Sequence, residues 1–518
     1  MRSRFASAPY RGQRAVEQAT DPTLVYWVAA AALFWALLWV LLPAWSDVAS
    51  SADNVEQLVW SQGLELGYHK HPPLPTWILI GAEQLFHPSL PLTYALSIVG
   101  LLVGAAFLWR LAADLLGPAA ALPAVLATGC IAFFSYRAHI FNHNTVLVPF
   151  VYASALAFLR AVRTGKTRYW LLLGAASAAA MLTKYQFAVI LATFVLIAIG
   201  LKLYRQPRAV RGACLAAGTA LVLLGPHIWW LVANDFPPFK YASEMVLARL
   251  GLADRLTATG GFLLQQVRDS LVVVLMLLLA SVLWWRERTA SQSNVAILPQ
   301  PPNDRVWILM LGFAPLALMV ALGLLGGVQL ENHWGTTALQ FVVLPVLYWM
   351  RGRSLIPSSA AVLAVFVFVQ TTEAGYDISV ELRERNVTSE EGGITAFDPR
   401  SLARAVTDDW QRSTAHAKLR YVVGSTTWGG FVSLYSGDHP EVLIGGDPHA
   451  SPWVSMQDLL ACGAVYFEPV QPPAGADVSG RGEWTAVDLS NAHHGQPMHI
   501  RWAVVSPGSG CGHRQPAG

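Results

Sequence analysis

The sequence predicts an all-α polytopic membrane protein that carries a C-terminal soluble α/β domain. Of its 518 residues, 54% are hydrophobic and only 13% are charged, whereas soluble proteins have about 25% charged residues. Apolar runs of bilayer length recur up to about residue 370, and the chain then turns polar. The net charge of +3 provides no broad basic field, so we expect no nucleic acid as a partner. The lipid bilayer is the first partner that we expect.

The membrane domain is predicted to cover residues 24–371. A basic leader, residues 1–23, precedes the apolar stretch Leu24–Pro43, which at about 20 residues is longer than the apolar core of a signal peptide. We therefore expect a retained first helix with its N-terminus in the cytoplasm. Ten further spans are predicted, which gives about 11 transmembrane helices and up to 13 if boundaries move: 90–109, 118–136, 145–162, 169–183, 186–201, 212–233, 268–285, 306–325, 336–350 and 355–371.

Clusters of positive charge set the expected topology. They lie in four loops: Arg160 to Arg168, Lys202 to Arg211, Arg286 with Arg288, and Arg351 with Arg353. Basic loops favour the cytoplasm, and all four reach it only if segment 72–88 does not cross the membrane. That segment has only about ten uninterrupted apolar residues, so we expect an interfacial or re-entrant helix. The first periplasmic loop is then 44–75, and the C-terminus is periplasmic.

Residues 372–518 predict the periplasmic α/β domain. The expected strands are 419–424, 441–445, 463–467 and 499–505, with helices near 399–412 and 452–461. Cys462 and Cys511 both lie here. Since the compartment is oxidising, a disulfide between them and two free thiols are both open. Residues 289–304 are expected to be a cytoplasmic linker.

The first periplasmic loop carries the side chains best suited to chemistry. Asp53 and Glu56 are three residues apart and share one face of a helix. Two carboxylates there can deprotonate a hydroxyl or hold a divalent cation. His69, Lys70 and His71 follow and are donors suited to a phosphate. Transfer of a sugar from a lipid phosphate needs such a base and such donors, although a solvated charged loop explains the same spacing.

These residues resemble a known family. The pattern Asp53-x-x-Glu56, followed by Gly67-Tyr68-x-x-His71-Pro-Pro-Leu-x-x-Trp77, is similar to the first periplasmic loop of the glycosyltransferase family 39 superfamily. This group of membrane enzymes of GT-C type includes protein O-mannosyltransferases, lipid A aminoarabinose transferases and rhizobial galacturonosyltransferases. The similarity continues in order through three further segments: 141–145, 169–185 and 225–236.

The resemblance implies a GT-C fold and a glycosyltransferase of the bacterial inner membrane. Its donor is a polyprenyl-phosphate-linked sugar, and its acceptor is lipid A, lipopolysaccharide or another envelope glycan, lipid or protein, glycosylated with inversion. Asp53 corresponds to the family's essential loop aspartate, a general base or metal ligand, and Glu56 to the acidic residue after it. Tyr68 and His71 match residues near the donor phosphate.

Further candidate residues lie on the same predicted outer face. Donor phosphate binding is assigned to Tyr68, Lys70, His71, Lys184 and Tyr185, and substrate contacts to Asn144, His227, Trp229 and Asp235. Asn144 stands where many family members carry a second acidic residue. An amide cannot act as a base and is a poorer metal ligand, which counts against a two-aspartate site. Packing of His227 and an interfacial position for Trp229 are the alternatives.

Three alternatives to this function remain open. The first is a protein O-mannosyltransferase. The second is a transporter or flippase for a lipid-linked sugar, which usually carries ionisable groups near the bilayer midplane, whereas here they concentrate in the outer loops. The third is a non-catalytic scaffold that displays the C-terminal domain. No cofactor is expected apart from a divalent cation at Asp53 and Glu56.

Overall fold

A computed structural model describes residues 22–46, 51–246, 251–288, 303–353, 355–384, 398–485, 499–508 and 510–511. The predicted leader and linker lie outside these residues except for their last two positions. The first part of the chain is helical: α1 (Pro22–Ser46), α2 (Ala52–Trp60), α3 (Leu74–Glu83), α4 (Leu90–Leu116), α5 (Pro118–Thr128), α6 (His143–Thr164), α7 (Thr167–Thr183), α8 (Ala188–Gly200), α9 (Pro207–Ala233), α10 (Pro237–Val246), α11 (Leu252–Arg288), α12 (Asp304–Gly326), α13 (Gly335–Leu339), α14 (Val343–Arg351) and α15 (Ser359–Glu384).

The described helices confirm a multi-pass membrane protein. Seven of them are long and apolar enough to cross a bilayer: Tyr26–Trp45 and Ser359–Ser379 within α1 and α15, Leu252–Leu283 within α11, and the whole of α4, α6, α9 and α12. The apolar segments Pro118–Thr128 and Tyr185–Gly200 are shorter. Residues 340–342 interrupt the predicted span 336–350, which forms two helices instead of one. The number of 11 spans stays a prediction.

The two ends of helix α4 have different polar partners and mark the two ends of the bundle. Its 27 residues place its termini about 40 Å apart. At the C-terminal end, the Leu116 carbonyl accepts a hydrogen bond from Arg351 (2.6 Å), and Asp114 pairs with Arg160 (3.0 Å). At the N-terminal end, Thr93 accepts one from Asn54 (2.7 Å). We call these ends the basic end and the loop end.

Helix α3 has both of its termini at the loop end. Before it, the Pro72 carbonyl lies 3.3 Å from His143 Nε2, and at its last residue Glu83 accepts a hydrogen bond from Ser61 (2.9 Å). Ten residues form a helix of about 15 Å, half the thickness of the hydrocarbon core. The chain therefore returns to the end from which α3 starts, as expected for an interfacial or re-entrant helix.

A buried amide joins three parts of the membrane core. Trp39 on α1 donates from Nε1 to Gln370 Oε1 on α15 (2.7 Å), and Gln370 Nε2 donates to the Gly129 carbonyl just after α5 (3.0 Å). Trp39 and Gln370 are fully buried. Inside a bilayer a broken helix is tolerated only where its backbone groups find partners, and Gln370 supplies one.

The C-terminal unit is a five-stranded sheet with helices. Its elements are α16 (Pro399–Ser413), β1 (Tyr421–Gly424), α17 (Thr426–Tyr435), β2 (Glu441–Ile444), α18 (Met456–Cys462), β3 (Ala464–Phe467), β4 (Val478–Thr485) and β5 (His499–Val505). The strand order is β2-β1-β3-β5-β4. β1 pairs in parallel with β2 and β3, and β5 pairs antiparallel with β3 and β4.

The four predicted strands and the two predicted helices are confirmed, whereas α17 and β4 were not predicted. Helix α17 contains two adjacent glycines, and β4 lacks an apolar run, so neither gives the usual signal. A Cys462–Cys511 disulfide is formed, which decides between the two open alternatives. Helix α15 continues past the predicted boundary at residue 371 to Glu384.

Gln370→Leu should destabilise the membrane core. The substitution leaves the Trp39 N–H and the Gly129 carbonyl unpaired, and hydrogen bonds between membrane helices contribute about 1–2 kcal/mol. We expect a loss of that size in the free energy of unfolding, measured by SDS titration in mixed micelles. Thr371→Val, at the exposed neighbouring position, is the control. Equal stability of the two variants would contradict the assignment.

Candidate functional site

Asp53 lies in the first turn of α2 and is held by Asn142. Asn142 Nδ2 donates to Asp53 Oδ2 (2.7 Å). Asn142 is also the N-cap of α6, where its Oδ1 accepts from the backbone N–H groups of Asn144 (2.8 Å) and Thr145 (3.1 Å). One side chain thus starts a membrane helix and fixes the carboxylate through Oδ2, while Asp53 itself is an exposed residue.

Two amides anchor α2 to the membrane helices. Asn54 donates to Thr93 Oγ1 (2.7 Å) and to the His139 carbonyl (3.2 Å), and Gln57 accepts from Thr76 Oγ1 (3.0 Å). Both amides are almost completely buried. A nine-residue helix is marginal by itself in water. These contacts therefore set the direction in which Asp53 points.

Glu56 forms an ion pair with Lys70. Lys70 Nζ lies 2.6 Å from Glu56 Oε1 and 5.5 Å from the centre of the Tyr241 ring. Burial raises the pKa of Glu56, and Lys70 offsets this only in part. Burial lowers the pKa of Lys70, but Glu56 outweighs that effect and the pKa is raised overall. Lys70 therefore remains a cation, and Glu56 serves it as a counter-ion.

Lys184 is a buried cation beside an amide. It is 7% exposed, donates from Nζ to Asn144 Oδ1 (2.6 Å) and lies 5.8 Å from the centre of the Trp334 ring. Burial lowers its pKa to about 8, and the negative charge of Asp53 opposes this shift. Lys184 is thus largely protonated at neutral pH. Its Nζ has three donors, and Asn144 uses one.

Two histidines pack together beneath the loop. The rings of His71 and His143 are 4.1 Å apart, and Trp60 contacts both at its edges. Burial, reinforced by His143 and Lys184, holds the pKa of His71 well below its usual range. Burial and then Lys184 also lower the pKa of His333, to about 4. These rings are neutral at pH 7, so His71 can offer a phosphate a hydrogen bond but no charge.

Tyr68, Tyr185 and His227 hold the shape of the loop. Tyr68 stacks on Trp60 (5.1 Å) and donates to the Gly63 carbonyl (2.7 Å). Tyr185 Oη lies 2.8 Å from His227 Nε2, and His227 Nδ1 lies 2.7 Å from the Leu66 carbonyl. Tyr68 is only 2% exposed. In this conformation the Tyr68 hydroxyl faces its own loop, and its assignment to the phosphate stays a prediction.

Trp229 and Asp235 are not brought to this cluster. Trp229 is 65% exposed, and Asp235 is an exposed partner of Lys240. The next aromatic residue, Trp230, faces inward instead, where a Cβ on Gly67 would overlap its ring. Of the predicted contacts on α9, His227 therefore lies against the loop, whereas Trp229 faces the surroundings of the helix.

The donor set does not fit a tightly bound divalent cation. Within the described ranges, no three His, Cys, Asp or Glu side chains are arranged to hold a metal ion. Asp53 and Glu56 are engaged by Asn142 and Lys70, respectively. The cation predicted at these two carboxylates would need further ligands from substrate or water.

Four residues of the site were not predicted from the sequence: Asn142, His143, Tyr241 and Trp334. Asn142 had a local signal, because with Thr145 it forms a capping box at the start of α6. His143 adjoins Asn142 in segment 141–145, which the resemblance covers without giving His143 a role. Tyr241 and Trp334 contact the site from segments remote in sequence, and no local pattern distinguishes them.

An apolar cavity begins beside Asn142, the residue that binds Asp53. It has a volume of about 590 Å³ and lies between α3, α4, α6 and α7. Ile78 and Phe141 line it at the loop end, next to Asn142, and Arg160 and Tyr169 line it at the basic end. The cavity therefore follows the bundle from the site toward the opposite face.

Comparison with known proteins confirms the resemblance. Residues 70–230 match the family model for dolichyl-phosphate-mannose-protein mannosyltransferases. The chain is 24% identical over 206 residues to lipid A galacturonosyltransferase RgtD of Rhizobium johnstonii, covering 37% of this chain and 41% of that protein. It is 28% identical over 199 residues to lipopolysaccharide core galacturonosyltransferase RgtB of the same organism, covering 37% and 40%. The matched region thus spans about two fifths of these relatives.

Solved structures match over nearly the whole chain. ArnT from Cupriavidus metallidurans bound to undecaprenyl phosphate superposes with a TM-score of 0.55 at 16% identity, covering 96% of this chain and 100% of that one. Its apo state gives 0.52 at 14% identity, covering 93% and 98%. The predicted fold, a GT-C helical domain with a C-terminal sheet unit, is confirmed.

The two roles of Asn142 can be separated. Serine caps a helix about as well as asparagine but cannot reach Asp53, whereas alanine does neither. We therefore expect Asn142→Ala to be less stable than Asn142→Ser by about 1 kcal/mol. SDS titration in mixed micelles measures the difference. Equal stabilities would show that the cap contributes nothing.

Proposed function

We propose that this protein is a membrane glycosyltransferase that moves a sugar from a polyprenyl-phosphate donor to an envelope acceptor, with lipid A or lipopolysaccharide as the preferred class. One observation carries the proposal: a carboxylate, Asp53, and a buried ammonium group, Lys184, are bound at the loop end by two side chains from the same helix terminus. Asn142 and Asn144, at the start of α6, hold one each. Glycosyl transfer needs this pair of opposite charges.

Asp53 acts as the general base. It accepts the proton of the acceptor hydroxyl as the hydroxyl oxygen forms a bond to the anomeric carbon. The bond between that carbon and the phosphate oxygen breaks, and its electron pair leaves with the polyprenyl phosphate. Attack from the side opposite the leaving group inverts the anomeric centre. Asn142 keeps Oδ2 engaged, so Oδ1 is the oxygen that takes the proton.

Lys184 and Lys70 stabilise the leaving phosphate. Negative charge grows on the phosphate as the glycosidic bond breaks, and fixed cations in a poorly hydrated site favour that state strongly. Lys184 has N–H donors beyond the one that it gives to Asn144. Lys70 is oriented by Glu56 and Tyr241. Neutral His71 adds a hydrogen bond, and no step uses a metal ion.

The cavity between α3, α4, α6 and α7 suits part of the donor's isoprenoid tail. Its lining is mainly apolar, and its loop end is formed by Ile78 and Phe141, next to Asn142. The solved structure of ArnT with undecaprenyl phosphate supports a lipid-linked donor, and the names of the rhizobial relatives support a glycolipid acceptor. A donor of this kind would leave its tail in the bilayer while its sugar reaches the outer surface.

We place the loop end in the periplasm and the protein in the inner membrane. The basic end carries Arg160 and Arg351, and such loops face the cytoplasm. The Cys462–Cys511 disulfide belongs in an oxidising compartment. Both observations support a periplasmic position for the C-terminal unit.

Asp53→Asn should abolish transfer in a protein that remains folded. The amide cannot take a proton, and removal of a general base costs about 10²- to 10⁴-fold in rate. The measurement is transfer from a synthetic polyprenyl-phosphate sugar to lipid A in proteoliposomes, with the product identified by mass spectrometry.

Asp254→Asn is the matched control, because Asp254 lies in the first turn of α11 on the same side and is exposed. Full activity of Asp53→Asn would overturn the proposal. Sugar on serine or threonine of envelope proteins, with lipid A unmodified, would point instead to a protein O-mannosyltransferase. Donor translocation without any glycosylated product would point to a flippase.

Lys184 should give the reaction an alkaline limit. Its pKa of about 8 means that the charge is present below pH 8 and lost above it, so kcat/KM should fall as pH rises through that value. Lys184→Arg retains the charge at all these pH values, and its limit should move upward by more than one pH unit. An unchanged limit in Lys184→Arg would assign it to another group.

A further inference from the structure

The C-terminal unit is packed directly on α2, the helix that carries Asp53. Helix α17 crosses α2 at Gly430, where an added Cβ would overlap Val55 Cγ1 and lie 2.9 Å from Val59 Cγ2. Trp453 covers Gly63 just beyond α2, where a Cβ would lie 2.8 Å from Trp453 Cβ. The contact is therefore close enough to require glycine on both sides.

Gln62 links the end of α2 to the edge of the sheet. Its Oε1 accepts from the Val442 N–H (2.9 Å), and its Nε2 donates to the Pro440 carbonyl (3.2 Å) and to Ser433 Oγ (2.9 Å). Val442 belongs to β2, the outermost strand on that side. The amide thus makes the two hydrogen bonds that a neighbouring strand would make.

These contacts lie on the face of α2 turned away from the chemistry. Residues 55, 59 and 62 follow helical spacing along one face, and that face meets α17 and β2. Asp53 precedes Val55 by two residues, which places it about 200° around the helix axis. A shift of the sheet is therefore transmitted to Asp53 through a short rigid helix.

We infer that Gln62 is a positioning residue and that the C-terminal unit sets the position of Asp53 relative to Lys184. This inference rests on the proposed function, because it takes Asp53 as the base. The membrane side holds α2 through Asn54 and Gln57, and the sheet holds it through Gln62. Loss of the Gln62 hydrogen bonds to the sheet lets α2 rotate or tilt. A displacement of about 1 Å at a reacting group can cost about 10²-fold in rate.

Gln62→Leu tests the inference, since leucine keeps the bulk and removes all three hydrogen bonds. We expect kcat to fall about 10- to 100-fold in folded, monodisperse protein. The dissociation constant for undecaprenyl phosphate should stay within about threefold, because Lys184 is held by Asn144 on α6 and not by α2. Gln62→Glu keeps the acceptor for Val442 and should give an intermediate kcat. Gln84→Leu is the control, because Gln84 bonds only within its own helix turn.

A second pair of variants tests the same contact from the other side. Gly430→Ala should lower kcat by forcing α17 away from Val55, and Gly430→Ala with Val55→Ala should restore at least half of it. Hydrogen exchange of the amides of residues 54–62 should quicken in Gln62→Leu and in Gly430→Ala but not in the double variant.

The outcomes separate the two proposals. Wild-type kcat in Gln62→Leu, with Asp53→Asn inactive, overturns the inference alone. A fall in kcat matched by an equal loss of donor-binding protein also overturns it, because that result describes unfolding and not misplacement. An active Asp53→Asn overturns the proposed function whatever Gln62 does.

Discussion

The packing of one short helix against two separate parts of the protein is the constraint on which the site depends. Helix α2 meets membrane helices through Asn54 and Gln57, the C-terminal sheet through Val55 and Gln62, and the polar cluster through Asp53. Measured from Asp53 at about 100° per residue, the two amides lie about 40–100° around the helix axis, and Val55 and Gln62 lie about 180–200° around it. Each face is specified by different chemistry: buried amides, close apolar packing and a single carboxylate. Rotation in either direction breaks at least two of them.

The second feature is a lysine buried without a carboxylate as its hydrogen-bond partner. Lys184 donates to Asn144, and an amide orients the ammonium group without neutralising it. An aspartate at position 144 would pair with Lys184 and reduce its attraction for a phosphate. An amide at position 144 and a buried ammonium group at Lys184 are therefore two aspects of one arrangement. Burial, which the negative charge of Asp53 offsets only in part, also explains the lowered pKa of Lys184.

The sequence was informative where a property is local. Apolar length predicted the membrane domain, short segments of the polar C-terminal part predicted β1, β2, β3 and β5, and the loop motif predicted roles for Asp53 and Lys70. It could not tell that Asn142 binds Asp53 across 89 positions, because nothing local marks such a pairing. Nor could it choose between Trp229 and Trp230, since both fit an interfacial helix end and only packing against Gly67 decides which faces inward. Charge spacing likewise grouped Glu56 with Asp53, whereas the fold gives it to Lys70.

The hydrogen bonds of Gln62 also cover an edge of the C-terminal sheet. Strand β2 is at the border of a sheet, and an unpaired border strand is a template on which a second chain can add. Gln62 forms hydrogen bonds with the Val442 N–H and the Pro440 carbonyl, and α17 packs against β2. The membrane domain thus covers the outer edge of β2 in the C-terminal unit. A C-terminal unit produced apart from the membrane domain would present that edge to its copies, and its aggregation would then reflect a missing cap and not a faulty fold.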